Sequence, residues 1–173
     1  MLSFEEIRKE FDPQLSGIVA SRSMVKEYLQ SKMLEFINKS PFKEVLVFIG
    51  GTKLRLINGL RRFSDDLNFD LTAVYDRDKH LELCQFMVGM FSKMNITAEV
   101  ELDKKVKGVA VQTRYISFPG IMEQVGLPDA PGGKFFIKLD AQKHDFGDFS
   151  YEPEIRVLNR FDVFTPVRCA PDS

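Results

Sequence analysis

Residues that form disulfides or commonly bind metals are scarce in this chain of 173 residues, which has only two cysteines and two histidines and no tryptophan. The cysteines, Cys84 and Cys169, are too few for a disulfide scaffold and do not have the spacing of metal ligands. His80 and His144 both lie among polar residues, and we predict that both are solvated surface groups. The scarcity therefore excludes a disulfide-rich fold and argues against a zinc-type site.

The sequence also lacks an excess of charge of either sign, since 24 Lys and Arg face 25 Asp and Glu. This balance excludes a globally basic nucleic-acid-binding protein, although a local basic patch is still possible. No apolar run approaches the roughly 20 residues of a membrane span, and the N-terminus has no signal-peptide core. We predict a cytoplasmic protein with no membrane partner.

The 44% of hydrophobic residues is enough for a packed core, and the first part of the chain has helical periodicity. Ser3 followed by Glu6 is a capping-box pattern. An amphipathic run covers about 21–39, and Pro41 predicts its end. We predict an N-terminal helical segment, residues 1–42, that packs on the core.

Beyond this segment the pattern predicts an α+β domain, residues 43–168, with a mixed β-sheet flanked by helices. The pattern predicts a strand at 44–49, a short helix capped by Thr52 and ending near Leu60, a strand at 66–73, a helix at 77–94, and strands at 97–103, 109–118, 133–142, 154–160 and 161–168. Residues 169–173 read as the start of another helix. We interpret them as the stub of a C-terminal helical region that is missing from the chain.

A Gly-Gly pair follows the first buried strand and precedes the short helix. Gly50 and Gly51 would allow a ligand to approach the backbone, and the N–H groups at a helix start point towards an anion. Thr52 adds a hydroxyl beside them. The arrangement suits a phosphate group, although a plain turn explains a lone Gly-Gly pair equally simply.

Polar residues alternate with apolar ones in the next strand. Asp66, Asn68 and Asp70 point to one side of an extended chain, while the residues between them point into the core. Oxygen ligands of this kind suit Mg²⁺, which usually takes one or two protein carboxylates together with substrate phosphates. A half-exposed strand with a polar outer face is the alternative.

A later strand, 133–142, has the same alternation. One face is apolar, and the other carries Lys138 and Asp140. If this strand lies next to 66–73, Asp140 becomes the third carboxylate of the site and Lys138 a cation beside it that can pair with phosphate. Taken alone, each residue is explained as a solvated group on a surface strand.

The segment from residue 48 to 71 carries a family resemblance through three groups of residues: Gly50-Gly51-Thr52, Leu54-Arg55, and Arg62-Phe63-Ser64-x-Asp66-Leu67-x-Phe69. This pattern resembles the signature of the AbiEii/AbiGii-type toxin nucleotidyltransferases, which belong to the polymerase-β-like nucleotidyltransferase superfamily. Lys138-x-Asp140 resembles a later motif of the same family. Elsewhere the resemblance is limited to the order of the elements.

The resemblance implies a nucleotidyltransferase-like fold and an enzyme that transfers a nucleotide from an NTP to an acceptor with Mg²⁺. Several members are toxins of toxin–antitoxin pairs, and some modify tRNA. The expected partners are therefore an NTP, an acceptor such as tRNA, another RNA or a protein, and a cognate antitoxin. Family members usually continue into a C-terminal helical domain, which agrees with a stub at 169–173.

The resemblance also implies residue roles on the phosphate side of the site. Gly50 and Gly51 are expected to cradle the triphosphate, assisted by Thr52 and Ser64, and Lys138 is expected to contact phosphate. Three arginines of the same segment are near enough to assist, namely Arg55, Arg61 and Arg62. The alternative role of Arg55 is to brace the acidic loop before β-strand residues 66–73.

The metal side of the site departs from the family pattern at one position. Asp66 is expected to hold Mg²⁺, and Asp140 is expected to be the third acidic residue and the nearest candidate for a general base. The family has Asp at the second metal position, where this chain has Asn68; its carbonyl can ligate Mg²⁺ but brings no charge. Asp70 lies on the same face and is a candidate to compensate. The alternative function is a catalytically silent nucleotide-binding or interaction module of the same fold.

Overall fold

The computed structural model describes residues 1–101, 111–128, 133–143 and 151–172. None of the helices in these ranges is long and apolar enough to cross a bilayer. The elements of the described chain are α1 (Phe4–Arg8), α2 (Ile18–Lys39), β1 (Leu46–Ile49), α3 (Gly50–Leu56), β2 (Leu67–Leu71), α4 (Arg77–Lys93), β3 (Glu99–Val100), β4 (Val111–Ser117), α5 (Ile121–Gln124), β5 (Phe136–Lys143), β6 (Glu154–Arg160) and β7 (Val163–Cys169).

The strands form one seven-stranded sheet in the order β3-β4-β5-β2-β1-β7-β6. The pairs β2–β5 and β1–β7 are parallel, and the other four pairs are antiparallel. The predicted α+β class with a mixed sheet is therefore confirmed. This order brings β2 and β5 together in the middle of the sheet, although they lie far apart in the sequence.

The core lies on the face of the sheet that is covered by helices α2 and α4. Alternate residues of β2 and β5 point into it, as the sequence pattern predicts, and Leu139 is fully buried. Helices α1 and α2 contribute to the same continuous cluster through residues such as Ile7 and Met24. Ser3 and Glu6 form the predicted capping box at the start of α1.

The short helix differs from its prediction. It begins at Gly50, directly after β1, and ends at Leu56, whereas the sequence pattern predicts a start at Thr52 and an end near Leu60. Thr52 does not cap it, because its hydroxyl is hydrogen-bonded to the Asp66 carbonyl instead. Leu60, near which the sequence pattern ends the helix, lies outside it and is 44% exposed.

The prediction for His80 is wrong, because its side chain is 1% exposed. Its Nδ1 lies 2.7 Å from the Tyr75 hydroxyl and its Nε2 lies 3.2 Å from the Leu139 carbonyl. Nε2 must donate to the carbonyl, so Nδ1 accepts from the hydroxyl. Polar sequence neighbours are a poor guide here, since helical periodicity puts His80 on the same face as Leu83 and Cys84. His144 lies outside the described residues.

Candidate active site

The junction of β1 and α3 brings the backbone close to the polar end of β2. Gly50 has φ of +84°, and a Cβ at this position would lie 3.0 Å from Asn68 Nδ2. A Cβ on Gly51 would lie 3.0 Å from Ser64 Oγ. A positive φ and a close approach both favour glycine at position 50, and the close approach alone favours it at position 51. Both residues therefore leave the backbone bare beside Asn68 and Ser64.

The loop that precedes β2 is held by side chains from two helices. Thr52 is fully buried, and its Oγ1 lies 2.8 Å from Ser64 Oγ and also hydrogen-bonds the Asp66 carbonyl. Gln30 of α2 donates from Nε2 to the carbonyls of Ser64 at 3.0 Å and Asp65 at 2.8 Å. The position of Ser64 and Asp66 is therefore determined by buried hydrogen bonds on both sides of the loop.

Arg55 holds the same loop further upstream. Its guanidinium pairs with the buried carboxylate of Glu27, with distances of 3.0 and 3.2 Å. It also donates to the carbonyls of Leu60 at 2.9 Å and Arg61 at 2.6 Å. These contacts favour the bracing role for Arg55, whereas the Arg62 side chain lies at the exposed surface.

The pairing of β2 with β5 brings the later motif to the first one. Asn68 is the register partner of Asp140, so both side chains lie on the face of the sheet that is opposite the core. Lys138 Nζ lies 3.2 Å from Asp140 Oδ2, and Thr113 of β4 donates to Asp140 Oδ1 at 2.6 Å. The condition under which Asp140 joins the site, namely that these two strands are neighbours, is therefore met.

Within this cluster, the ionised form of the Asp66 carboxyl is disfavoured by its surroundings. Burial raises its pKa above the ordinary value; Lys138 opposes this shift and Asp140 adds to it. The Lys138 pKa is raised by its hydrogen bond and charge interaction with Asp140. Asp66 thus lacks a full cationic partner within the cluster, and a bound cation would stabilise its ionised form.

Asp70 lies deeper on the same face and is 5% exposed. Its carboxylate accepts hydrogen bonds from the Tyr151 hydroxyl and, at 3.4 Å, from Gln142 Nε2. Its register partners are Val47 and Gln142, two residues beyond Asn68. Donors of the chain itself therefore occupy Asp70, and its role as a metal ligand stays a prediction.

The donor atoms of this cluster fit a magnesium ion that is shared with a substrate. Within the described ranges, no three His, Cys, Asp or Glu side chains are arranged to hold a metal by themselves. Asp66 and Asp140 provide carboxylate oxygens, and Asn68 provides an amide oxygen. Mg²⁺ usually takes one or two carboxylates and completes its shell with water and phosphate, so this incomplete protein set fits it.

Sequence reasoning did not identify three groups that support the site, namely Gln30, Glu27 and Thr113. Gln30 and Glu27 are nearly fully buried polar residues on the core-facing side of α2, and polar residues within a buried helical stripe are the signal by which they are recognisable. Thr113 has no such signal, because its role depends on the pairing of β4 with β5.

Known structures share this fold. MenT4, a nucleotidyltransferase toxin from Mycobacterium tuberculosis H37Rv, has a similar structure with a TM-score of 0.65 and 15% sequence identity, over 99% of this chain and 56% of MenT4. JHP933 from Helicobacter pylori has a TM-score of 0.50 and 20% identity, over 87% of this chain and 52% of JHP933. The chain therefore spans slightly more than half the length of these structures.

A search of curated proteins gave no sequence match. Residues 32–164 match the model of a family described as nucleotidyl transferase AbiEii toxin of the type IV toxin–antitoxin systems. This match covers more than half of the chain and includes the Gly-Gly junction, the acidic strand and the Lys138-x-Asp140 motif. The chain belongs to the AbiEii nucleotidyltransferase toxin family.

Proposed function

We propose that this chain binds an NTP with Mg²⁺ and takes part in the transfer of the nucleoside monophosphate to an acceptor, either an RNA such as tRNA or a protein. As a toxin component, it would be neutralised by a cognate antitoxin. The observation that carries the proposal is the β2–β5 register, which puts Asp140 beside Asn68 and opposite the Gly50–Gly51 junction.

The triphosphate would lie at the junction of β1 and α3. Gly50 and Gly51 leave the backbone bare there, so phosphate oxygens can approach the main-chain N–H groups. The Ser64 hydroxyl lies against Gly51 and is a second donor, with Thr52 positioning it. Lys138 supplies a positive charge from the β5 side, because its ammonium group is already directed at the cluster by Asp140.

The residues that would hold the magnesium ion are Asp66, Asn68 and Asp140, with Asp70 as a more remote candidate. When bound, the ion would neutralise charge on the attacking and leaving oxygens during an in-line displacement. Asp140 is our candidate for the group that accepts the proton of the acceptor hydroxyl. Thr113 orients its carboxylate through the hydrogen bond at Oδ1.

A catalytically silent nucleotide-binding module is the second candidate, and Asn68 is the observation that favours it. An amide at this position leaves the cluster with one negative charge fewer than a third carboxylate would give. Such a site would retain NTP binding and lose transfer. Metal-dependent NTP binding without transfer, even by a full-length chain, would favour the module.

The test compares Asp66→Asn with Asp65→Asn, which removes the same charge from the adjacent exposed residue. Calorimetric titration with each NTP in Mg²⁺ measures binding, and incubation with labelled NTPs and total tRNA measures transfer. We expect Asp66→Asn to abolish Mg²⁺-dependent binding and Asp65→Asn to change it less than threefold. Equal affinities of the two variants would remove Asp66 from the proposed site.

A further inference from the structure

Two aromatic side chains stand exposed on the same face of the sheet as the acidic cluster. Tyr115 of β4 is 38% exposed and Phe136 of β5 is 41% exposed. Their ring centroids are 5.4 Å apart at an interplanar angle of 72°. Exposing large aromatic rings to water costs free energy. Two exposed rings in contact beside a polar site therefore suggest that a ligand covers them.

The register joins this aromatic pair to the candidate site. Tyr115 is the partner of Lys138, and Thr113 is the partner of Asp140. Because cross-strand partners point to the same face, Tyr115 stands beside the lysine that contacts Asp140. Phe136 precedes Lys138 by two residues, roughly 7 Å along the strand.

Two lysine ammonium groups lie near the aromatic pair, and each also contacts a carboxylate, Lys26 that of Asp65 and Lys138 that of Asp140. Lys26 Nζ lies 5.9 Å from the centre of the Phe136 ring and 3.3 Å from Asp65 Oδ1. It also influences Asp66, whose pKa it lowers against the main effect of burial. Lys26 thus lies near both Phe136 and Asp65, and Lys138 lies near both Tyr115 and Asp140. A phosphate next to a base stacked on the pair would be close to these two ammonium groups.

The aromatic pair lies on the opposite side of the acidic cluster from the Gly-Gly junction. The junction packs against Ser64 and Asn68 at the β1 side of β2. Tyr115 lies on β4, one strand beyond Asp140, and Phe136 lies on β5, the strand of Asp140 itself. In an in-line displacement the attacking oxygen approaches opposite the leaving pyrophosphate. A group on the far side from the triphosphate therefore faces the acceptor rather than the NTP.

We propose that Tyr115 and Phe136 form a stacking subsite for an unpaired terminal nucleobase of an RNA acceptor; this inference rests on the proposed function. Lys26 contacts the phosphate that is attached to this nucleotide. Stacking on aromatic side chains needs no hydrogen bonds to a base edge, so the subsite accepts different bases. These side chains act as positioning residues for the acceptor end and do not hold the triphosphate.

The test measures binding of a labelled pentaribonucleotide and of the same pentamer with an abasic 3′ residue, by fluorescence anisotropy in Mg²⁺. We expect the wild-type chain to bind the intact pentamer at least fivefold more tightly. Tyr115→Leu combined with Phe136→Leu should bind both pentamers equally, while Tyr115→Phe retains the preference. Phe164→Leu is the matched control, because Phe164 is 73% exposed on β7, beyond β1.

NTP affinity, titrated in the same buffer, should be unchanged in the double Leu variant. The subsite is overturned if that variant still prefers the intact pentamer, if it loses NTP affinity instead, or if the wild-type chain has no preference. Because the assay does not depend on transfer, its result is separable from that of the proposed function. Unchanged NTP binding by Asp66→Asn contradicts the proposed function, whichever pentamer is preferred.

Discussion

At the scale of single residues, the candidate site has two carboxylates, those of Asp66 and Asp140, and one lysine that contacts only the second of them. Burial raises the pKa of Asp66, and Asp140 adds to this shift, while Lys138 is already engaged with Asp140. Asn68 limits the repulsion because its amide adds no negative charge between the two carboxylates. If residue 68 is a metal ligand, as we propose, its identity balances the stability of the ligand-free chain against its affinity for a cation.

Asn68→Asp should shift this balance in a defined direction. We expect tighter Mg²⁺ binding and a lower melting temperature without metal, because a third carboxylate increases both attraction for a cation and repulsion within the site. Calorimetry with Mg²⁺ and thermal unfolding in EDTA measure the two effects. Asn159→Asp, at an exposed position on β6, is the control; if both variants bind Mg²⁺ like the wild type, residue 68 is not a ligand.

At the scale of elements, the start of α3 depends on the absence of a side chain at Gly50. The positive φ and the 3.0 Å approach to Asn68 both disfavour a Cβ there. Gly59 also has a positive φ, of +77°, but nothing lies within 4 Å of its hypothetical Cβ. A comparison of substitutions at Gly50 and Gly59 therefore distinguishes the cost of backbone strain from the cost of crowding against Asn68.

Gly59→Ala should cost about 1 kcal/mol of unfolding free energy, since only the left-handed backbone penalises it. Gly50→Ala should cost more, because the same strain is joined by displacement of Asn68, and it should also weaken NTP binding. Urea unfolding and NTP titration measure both quantities. Equal losses of stability with intact NTP binding for both variants would contradict the proposed close packing at Gly50.

The contact between α4 and β5 makes stability depend on pH through His80. Burial lowers the His80 pKa from 6.5 to about 4. The unfolded chain therefore takes up this proton as the pH falls through 6.5, while the folded chain does so only near pH 4. The folded state loses stability over this window, and the loss levels off below it.

We expect the wild-type chain to lose about 2 kcal/mol of unfolding free energy through His80 between pH 7.5 and pH 5. His80→Gln should be less stable at pH 7.5, because it alters two buried hydrogen bonds, but it should lack this part of the pH dependence. Urea unfolding at both pH values measures the difference. An identical loss in both proteins would show that the His80 pKa is close to normal in the folded chain.

At the scale of the whole molecule, the end of the described chain is joined to the site helix. Ala170 N–H donates to the Phe48 carbonyl at 3.0 Å. Asp172 Oδ1 lies 2.7 Å from Lys53 Nζ and 2.7 Å from Asn58 Nδ2. Lys53 is only 4% exposed, so this pairing supplies a counter-charge to a buried cation of α3.

Asp172→Asn should lower the melting temperature at pH 7, because a buried cation loses its partner. The Asp172 pKa is lowered by hydrogen bonds from Lys53 and Asn58, so its stabilising effect is present above its ordinary pKa and is lost as the pH falls below it. In a Lys53→Met background the same substitution should have a smaller effect, because only the contacts of residue 172 with Asn58 and Arg156 are then altered. Thermal unfolding of the four proteins in this cycle measures the coupling, and additive effects would exclude it.

The sequence by itself determined the order of the helices and strands and the types of residue that form the candidate site. Alternation identifies the buried face of β5, and the Gly-Gly and Asp66 spacing indicates the family, because both depend on neighbours along the chain. Only the tertiary structure decided the sheet order, the hydrogen bonds of Gln30 to the loop before Asp66, the choice between the two roles of Arg55, and the burial of His80. These features depend on contacts between residues distant in sequence, for which local periodicity carries no information.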